Sequence, residues 1–314
     1  MSAPQDTENA TPDLPGQQGE TTSTTYEPKP TERLRFANLQ LSGCAGCEVS
    51  LLNAGQWIEK YKLTYMPLVI SAHSIPNVDI LLVSGGIRTD KDLYNLRQAA
   101  RQADKVVAVG TCAISGGVAS LGNREEVREL FLAQEGRYHV PRLLPKCHPI
   151  DSEIEVDLYL PGCPPTPELF MAVLFEPTDF ETSKIVCQEC GRKKLRDMRP
   201  DQLLGFQSGE VLPDICLINQ GYLCIGSSTR GGCRAPCPRA GHPCVGCRGP
   251  SDALIEKESS VWFSSIKRVF AAMTDIPGDE IDAALRSPQL SLFLFQFSDY
   301  ADEDRPPRPK EKVL

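Results

Sequence analysis

The sequence predicts an α/β fold, a doubly wound parallel sheet, followed by an irregular domain rich in cysteine. Two observations carry this prediction. Up to about residue 180, short apolar runs closed by glycine alternate with stretches of helical spacing, the strand–helix–strand order of a parallel sheet. Beyond it the periodicity fades, and cysteine, glycine, proline and arginine dominate.

The elements follow in order. Residues 1–33 are rich in Pro, Thr, Gln, Gly and Glu and nearly free of large apolar side chains, so a disordered tail is expected. LRFANLQL is an apolar run ending at the turn Ser42-Gly43. It reads as a strand that delivers Cys44 and then a helix through Val49, Leu52, Trp57 and Ile58. VDILLVSGG and KVVAVGTC are strands buried on both faces, and TDKDLYNLRQAARQA between them is a helix with a threonine N-cap. VDLYLPGC, residues 156–163, is a further strand ending in a Pro-Gly turn. Right-handed crossovers between such strands wind a parallel sheet, which sets a first domain at 34–180. The second domain, 181–298, has one clear helix, SSVWFSSIKRVFAAM. Its loops lack the apolar content for a core of their own, and small domains of that kind are held by metal. Residues 299–314 read as a solvated C-terminal tail.

Composition narrows the function. Hydrophobic content of 41% and charged content of 24% are those of a globular chain. No run approaches the roughly 18 apolar residues of a membrane span. The N-terminal residues show no basic n-region, apolar h-region or twin arginine, so a cytoplasmic location is expected. A net charge of −8 argues against nucleic acid as a partner. Thirteen cysteines in a chain without an export signal point to metal ligation rather than to disulfides.

Cys44, Cys47, Cys112 and Cys163 all fall at the carboxyl ends of predicted parallel strands. Ligands of open α/β sheets bind at that edge. Four thiolates converging there can hold a [4Fe–4S] cluster. Gly43, Gly46, Gly110, Gly116 and Gly117 let the backbone approach it and aim N–H groups at its sulfurs, while Pro164 and Pro165 stiffen the last turn. The alternative is four buried structural cysteines.

GCAGCEVSLL, VGTCAISGG and LPGCPPTPE resemble the three proximal-cluster motifs of the small subunit of nickel–iron hydrogenases. They also resemble the related quinone-reducing subunit of respiratory complex I. Complex I relatives carry adjacent cysteines in the first motif, whereas this chain has a spaced pair, which favours hydrogenase. The resemblance implies a flavodoxin-like fold, a proximal cluster on Cys44, Cys47, Cys112 and Cys163, and a separate large subunit that holds the nickel–iron site. No catalytic residue falls on this chain by that reading. The better-known enzymes place an acidic residue two positions after the second cysteine. Here Glu48 follows it directly, and a solvated or helix-capping role is expected of it.

After the boundary come Cys187, Cys190, Cys216 and Cys224, then the denser set Cys233, Cys237, Cys244 and Cys247. This stretch resembles the cluster domain of cytoplasmic hydrogenases that reduce methyl viologen or a deazaflavin in methanogens. The first set would bind a distal cluster and the second a medial one, making three [4Fe–4S] clusters on twelve cysteines. Cys187 stands where respiratory enzymes use histidine. Cys237 stands where many have proline, which implies four irons rather than three in the medial cluster. The implied partners are the large subunit and a flavin or iron–sulfur electron-acceptor subunit. Taken alone, the paired CxxC spacing also suits zinc, since both metals accept four thiolates. Arg230, Arg234, Arg239, Arg248 and the run GRKKLRDMR read either as a basic rim for an acidic redox partner or as a solvated face. Cys147, in PKCHPID, matches no motif and is expected to be a buried thiol.

Overall fold

A computed structural model describes residues 33–70, 72–132, 140–174, 185–205, 209–286 and 309–314. The expected N-terminal tail therefore lies outside the described residues except for Arg33, as does the first part of the C-terminal one.

Among the described residues there are seven strands: β1 (Leu34–Gln40), β2 (Tyr61–Tyr65), β3 (Val78–Ser84), β4 (Ile87–Thr89), β5 (Ala103–Val109), β6 (Leu143–His148) and β7 (Leu158–Leu160). Five form one sheet in the order β2-β1-β3-β5-β7, every pair parallel. Counted along the chain, those five give the flavodoxin-like order 2-1-3-4-5, with its switch point between β1 and β3. The β4–β6 pair is antiparallel and stands apart.

Side-chain alternation shows why the sheet is covered on both faces. Ala37, Leu39, Leu81, Val83, Val106 and Ala108 project to one side, where Leu96 and Ala99 of helix α2 (Asp90–Ala100) cover them. Phe36, Leu82, Val107 and Val109 project to the other. There they meet Leu51 of α1 (Gly46–Asn53) and Leu169 and Phe170 of α5 (Pro167–Leu174). Between these helices run α3 (Gly110–Ser115) and α4 (Glu125–Leu132). Strands with two buried faces read as continuous apolar runs, which is how β3 and β5 appear in the sequence.

The helix expected through Ile58 is shorter. It ends at Asn53, and a 3-10 turn, Gly55–Glu59, takes over. Gly55 has poor helix propensity. Trp57 Nε1 donates to Leu51 O at 2.9 Å, and the indole packs edge-on against Phe36 at 5.1 Å. The turn thus buries the tryptophan and leaves Ile58 exposed.

The second region has an apolar core of its own, contrary to expectation. Leu217, Ile218, Tyr222, Leu223 and Ile225 pack with Val186 of α6 (Val186–Cys190). The short α7 (Pro236–Arg239) follows, and Ile266 and Phe270 of α8 (Ser259–Met273) with Ile281 and Leu285 of α9 (Gly278–Arg286) close the core. Its apolar residues flank the cysteines without regular spacing, so no periodicity announced them. Residues 33–314 form one compact unit.

The tail expected to be solvated from residue 299 is docked where it is described. Leu314 N donates to Tyr159 O at 3.0 Å, extending the β7 edge, and Lys312 Nζ donates to Val156 O at 3.1 Å. Val313 and Leu314 pack against the two faces of the sheet core, so two apolar residues in a charged segment suffice to seat it. Among the described residues no helix is long and apolar enough to cross a membrane.

Helix α2 starts at a capping box: Thr89 Oγ1 accepts from Asp92 N at 3.0 Å, and Asp92 Oδ2 accepts from Thr89 N at 2.9 Å. The same oxygen also accepts from Arg88 N at 3.1 Å and Ser42 Oγ at 2.8 Å. Thr89→Ala should cost about 1 kcal/mol in denaturant unfolding, the usual value of a lost cap. Asp92→Ala should cost more, because it strips three donors of one acceptor.

Candidate metal centres

The first group of thiols is assembled by the carboxyl ends of β1, β5 and β7. At the switch point the loops after β1 and β3 are laced together: Ser42 N donates to Gly86 O at 3.1 Å and Gly86 N to Ser42 O at 2.8 Å. Gly85 lies at φ +80°, and a Cβ there would fall 2.6 Å from the Leu41 carbonyl carbon. Only glycine permits this approach. Cys44 and Cys47 then bracket the start of α1, Cys112 sits in α3 directly after β5, and Cys163 follows β7.

Three of these sulfurs lie close against glycines. A Cβ on Gly110 would lie 2.5 Å from Cys47 Sγ, one on Gly46 3.3 Å from Cys44 Sγ, and one on Gly43 3.8 Å from Cys112 Sγ. Three of the five glycines singled out in the sequence thus face three different thiols of the set, and a fourth, Gly117, crowds Cys112. The backbone N–H groups of Val118 and Ala119 point at Cys112. Burial pushes the Cys47 thiol well up, and Glu48, Cys112, Cys163 and Cys44 push it further. Cys163 is pushed up to about 12 by burial, then by Cys247, Cys112 and Cys44. Each of the four is within electrostatic reach of another.

The other eight lie in the second region. Burial raises Cys187 to about 11, Lys194 opposes this, and Cys216 and Cys190 add to it. Cys224, raised to about 12 by burial, feels Cys187 and Cys216. In the third group burial raises Cys233 to about 11, with Cys247 and Glu189 adding to it. Cys247 is raised by burial and by Cys237, and Cys244 by burial, Cys224 and Cys247.

Two links put the groups in a line. Thr111, beside Cys112, donates its Oγ1 to Cys247 O at 2.7 Å, and Cys163 is within electrostatic reach of Cys247, joining the first group to the third. Cys244 N donates to Cys224 Sγ at 3.3 Å, joining the third to the second. The set on Cys233, Cys237, Cys244 and Cys247 is therefore the middle one. Ionised thiols at this density repel one another, and desolvation adds to the cost, whereas a cationic metal centre stabilises them as thiolates. Among the described residues no three His, Cys, Asp or Glu side chains stand close enough to hold a single metal ion.

Three residues near the thiols differ from their sequence reading. Glu48 is neither solvated nor a cap: it is fully buried, accepting from Asn38 Nδ2 at 3.1 Å and from Ser84 Oγ. Its Oε2 has no hydrogen-bond partner. Arg230 and Arg248 are not part of a basic rim. Both are buried, Arg230 in an ion pair with Asp252 at 2.6 Å. Burial, and next the charge of Arg230, lower Arg248 to about 10. Arg234 and Arg239 do lie at the surface, Arg234 3.7 Å from Glu168. The sequence reading also missed Thr111, whose Oγ1 donates to Cys247 O at 2.7 Å, and Glu189, which accepts from Gly232 N between the second and third sets. A buried polar side chain leaves no periodic signal, so nothing in the sequence singled these out. Cys147 is a buried thiol, as expected, with its backbone clamped by Asn123 at 2.6 Å and 2.9 Å.

Comparison with known proteins places this arrangement. Residues 44–176 match the family of the NADH ubiquinone oxidoreductase 20 Kd subunit, a span that contains the first thiol set and none of the other two. The vhu F420-non-reducing hydrogenase of Methanococcus voltae has a subunit that is 34% identical over 250 residues, 73% of this chain and 87% of that protein. Its counterpart in Methanocaldococcus jannaschii is 34% identical over 72% of this chain and 85% of its own. A solved NAD+-reducing [NiFe]-hydrogenase chain aligns with 44% of this chain and 86% of its own at 31% identity, with a TM-score of 0.40. At 73% of this chain the likeness to the Methanococcus voltae protein is longer than the stretch matched by the 20 Kd family, and the class it defines is a hydrogenase subunit. Within that class, the chain belongs to the family that these two F420-non-reducing hydrogenase subunits represent.

Burial drives the Cys147 thiol from its ordinary value of 9.0 to about 12. A group whose value rises on folding contributes stability that is complete below the unfolded value and lost as pH climbs through the folded one. The metal-loaded protein should therefore lose stability between about pH 9 and 12, and Cys147→Ala should flatten that limb of the pH–stability curve. Iodoacetamide should reach Cys147 only after unfolding.

Proposed function

We propose that this chain is the small, electron-transfer subunit of a nickel–iron hydrogenase and that its twelve grouped cysteines hold three [4Fe–4S] clusters. The proximal cluster belongs to Cys44, Cys47, Cys112 and Cys163, the medial to Cys233, Cys237, Cys244 and Cys247, and the distal to Cys187, Cys190, Cys216 and Cys224. The observation that carries the reading is the pair of links between sets, Cys163 to Cys247 and Cys244 to Cys224, which string three separate thiol groups into one line. Bound there, the clusters supply one-electron steps between the site of hydrogen cleavage and an external acceptor.

The chain's own residues do the rest. Glycine at 110 and 117 leaves room beside the sulfurs that a methyl group would fill. Backbone N–H groups of Val118, Ala119, Ala235, Gly226 and Gly246 point at ligand sulfurs and stabilise their negative charge. The partner at the proximal edge would be a large subunit carrying nickel and iron, consistent with the exposure of Cys44 and of Val49 at that edge. A flavin or iron–sulfur subunit would accept electrons at the far end. The match to the 20 Kd oxidoreductase family also fits a quinone-reducing module, but such a module leaves the eight later cysteines without a role.

The native complex tests this reading. It should contain a second, nickel-bearing chain, at least about thirteen irons per copy of this one, twelve in the three clusters and one beside the nickel, and no zinc, and should reduce viologen under hydrogen. Zinc in place of iron, or no hydrogen-dependent reduction from an iron-loaded complex, contradicts it. Cys237→Ala should convert the medial cluster to a three-iron form visible by EPR in the oxidised protein, with the other two clusters retained. An unchanged oxidised spectrum would remove Cys237 from the ligand set.

A further inference from the structure

The segment around Cys190 reaches from the second thiol set into the third. Helix α6 carries Cys187 and Cys190 of the second set, with Glu189 between them. Arg192, two residues on, donates its Nε to Pro238 O at 2.7 Å and its Nη1 to Leu212 O at 2.7 Å and Ile215 O at 2.9 Å. Pro238 directly follows Cys237, and Ile215 directly precedes Cys216. Arg239 Nη2 returns to Glu189 O at 3.2 Å. One short stretch of chain is therefore bonded to sequence neighbours of thiols in both sets.

Glu189 makes the most direct of these contacts. Its Oε1 accepts from the N–H of Gly232, the residue before Cys233, and its Oε2 accepts from Cys233 Sγ at 3.9 Å. Both oxygens are thus committed to one loop of the third set. Among the described residues the arginines nearby are directed elsewhere. Arg230 pairs with Asp252 and Arg234 with Glu168, Arg239 reaches only the backbone oxygen of Glu189, and Arg248 bonds oxygens of Gly231, Pro161 and Leu314. The Cys233 thiol that donates to the carboxylate gives up its proton when it becomes a metal ligand. A carboxylate oxygen then faces a ligand sulfur with no donor between them, kept in place by the Gly232 N–H.

We infer that Glu189 is a positioning residue that ties Cys233 to the helix carrying Cys187 and Cys190, and that its carboxylate lowers the reduction potential of the cluster on Cys233, Cys237, Cys244 and Cys247. This rests on the cluster assignment above. Negative charge beside a ligand sulfur disfavours the reduced cluster, which carries one more electron than the oxidised one. The medial cluster is the one affected, because both oxygens turn to Cys233 and its neighbour.

The test is an EPR-monitored redox titration of the native complex carrying Glu189→Gln or Glu189→Ala. Glutamine keeps an oxygen for the Gly232 N–H and removes only the charge. With iron content unchanged, it should raise the reduced-to-oxidised ratio of the medial cluster about tenfold at fixed potential, about 59 mV for one electron. The proximal and distal clusters should move less. Alanine removes the tie as well, so it should shift the medial cluster in the same direction and weaken the medial–distal magnetic coupling seen by pulsed EPR. Glutamine should preserve that coupling. An unshifted medial cluster with glutamine, a distal shift as large as the medial one, or wild-type coupling with alanine overturns the inference. Loss of medial iron from the glutamine variant also overturns it, because that variant retains the positioning bond. A wild-type complex without iron would instead overturn the cluster assignment itself.

Discussion

A buried thiolate is costly, and several buried together are more so, because each is desolvated and each repels its neighbours. Of the twelve grouped cysteines here, Cys216, Cys224 and Cys244 are buried and most of the others half-buried, with Cys44 and Cys237 exposed. The thiols of Cys163 and Cys224, raised to about 12, show how strongly the protein resists ionising them without a counter-charge. The proposed clusters would supply that counter-charge in each group. The glycines at 85, 110 and 117 adopt positive φ angles at points where a Cβ would collide with backbone or with a ligand sulfur.

The sheet solves half of this problem through topology. Parallel strands all end on one edge, so three connections of different sequence position arrive at one place, and the 2-1-3-4-5 order opens a crevice there. The second region solves the other half with a small apolar core in which Cys216, Cys224 and Cys244 are themselves buried members. Among the described residues, polar contacts join the two halves: Thr111 to Cys247 O, Arg248 to Pro161 O, and Arg248 and Arg230 to the docked C-terminal residues.

Much of this was legible in the sequence. β1, β3 and β5 are apolar runs with both faces buried, and α2 announces itself by the Thr89–Asp92 box. The cysteines could be sorted by spacing into runs along the chain. What was not legible came from side chains whose environment is set by distant segments. Glu48 reads as a helix-start carboxylate yet is buried by Asn38 and Ser84, one from each central strand. Arg248 reads as one of several loop arginines yet is enclosed by three loops. β2 escaped notice because its YKLTY run is short and lies at the sheet edge, and the irregular core escaped because its apolar residues follow no period.

The central claim is the linear order of three clusters with the 233–247 set in the middle. Pulsed EPR of the hydrogen-reduced complex measures it most directly, through magnetic coupling between reduced clusters. The account predicts that the medial cluster couples strongly to two neighbours, while the proximal and distal clusters couple strongly only to it. Direct strong coupling between the clusters on Cys163 and Cys224, or a middle site without iron, would contradict it.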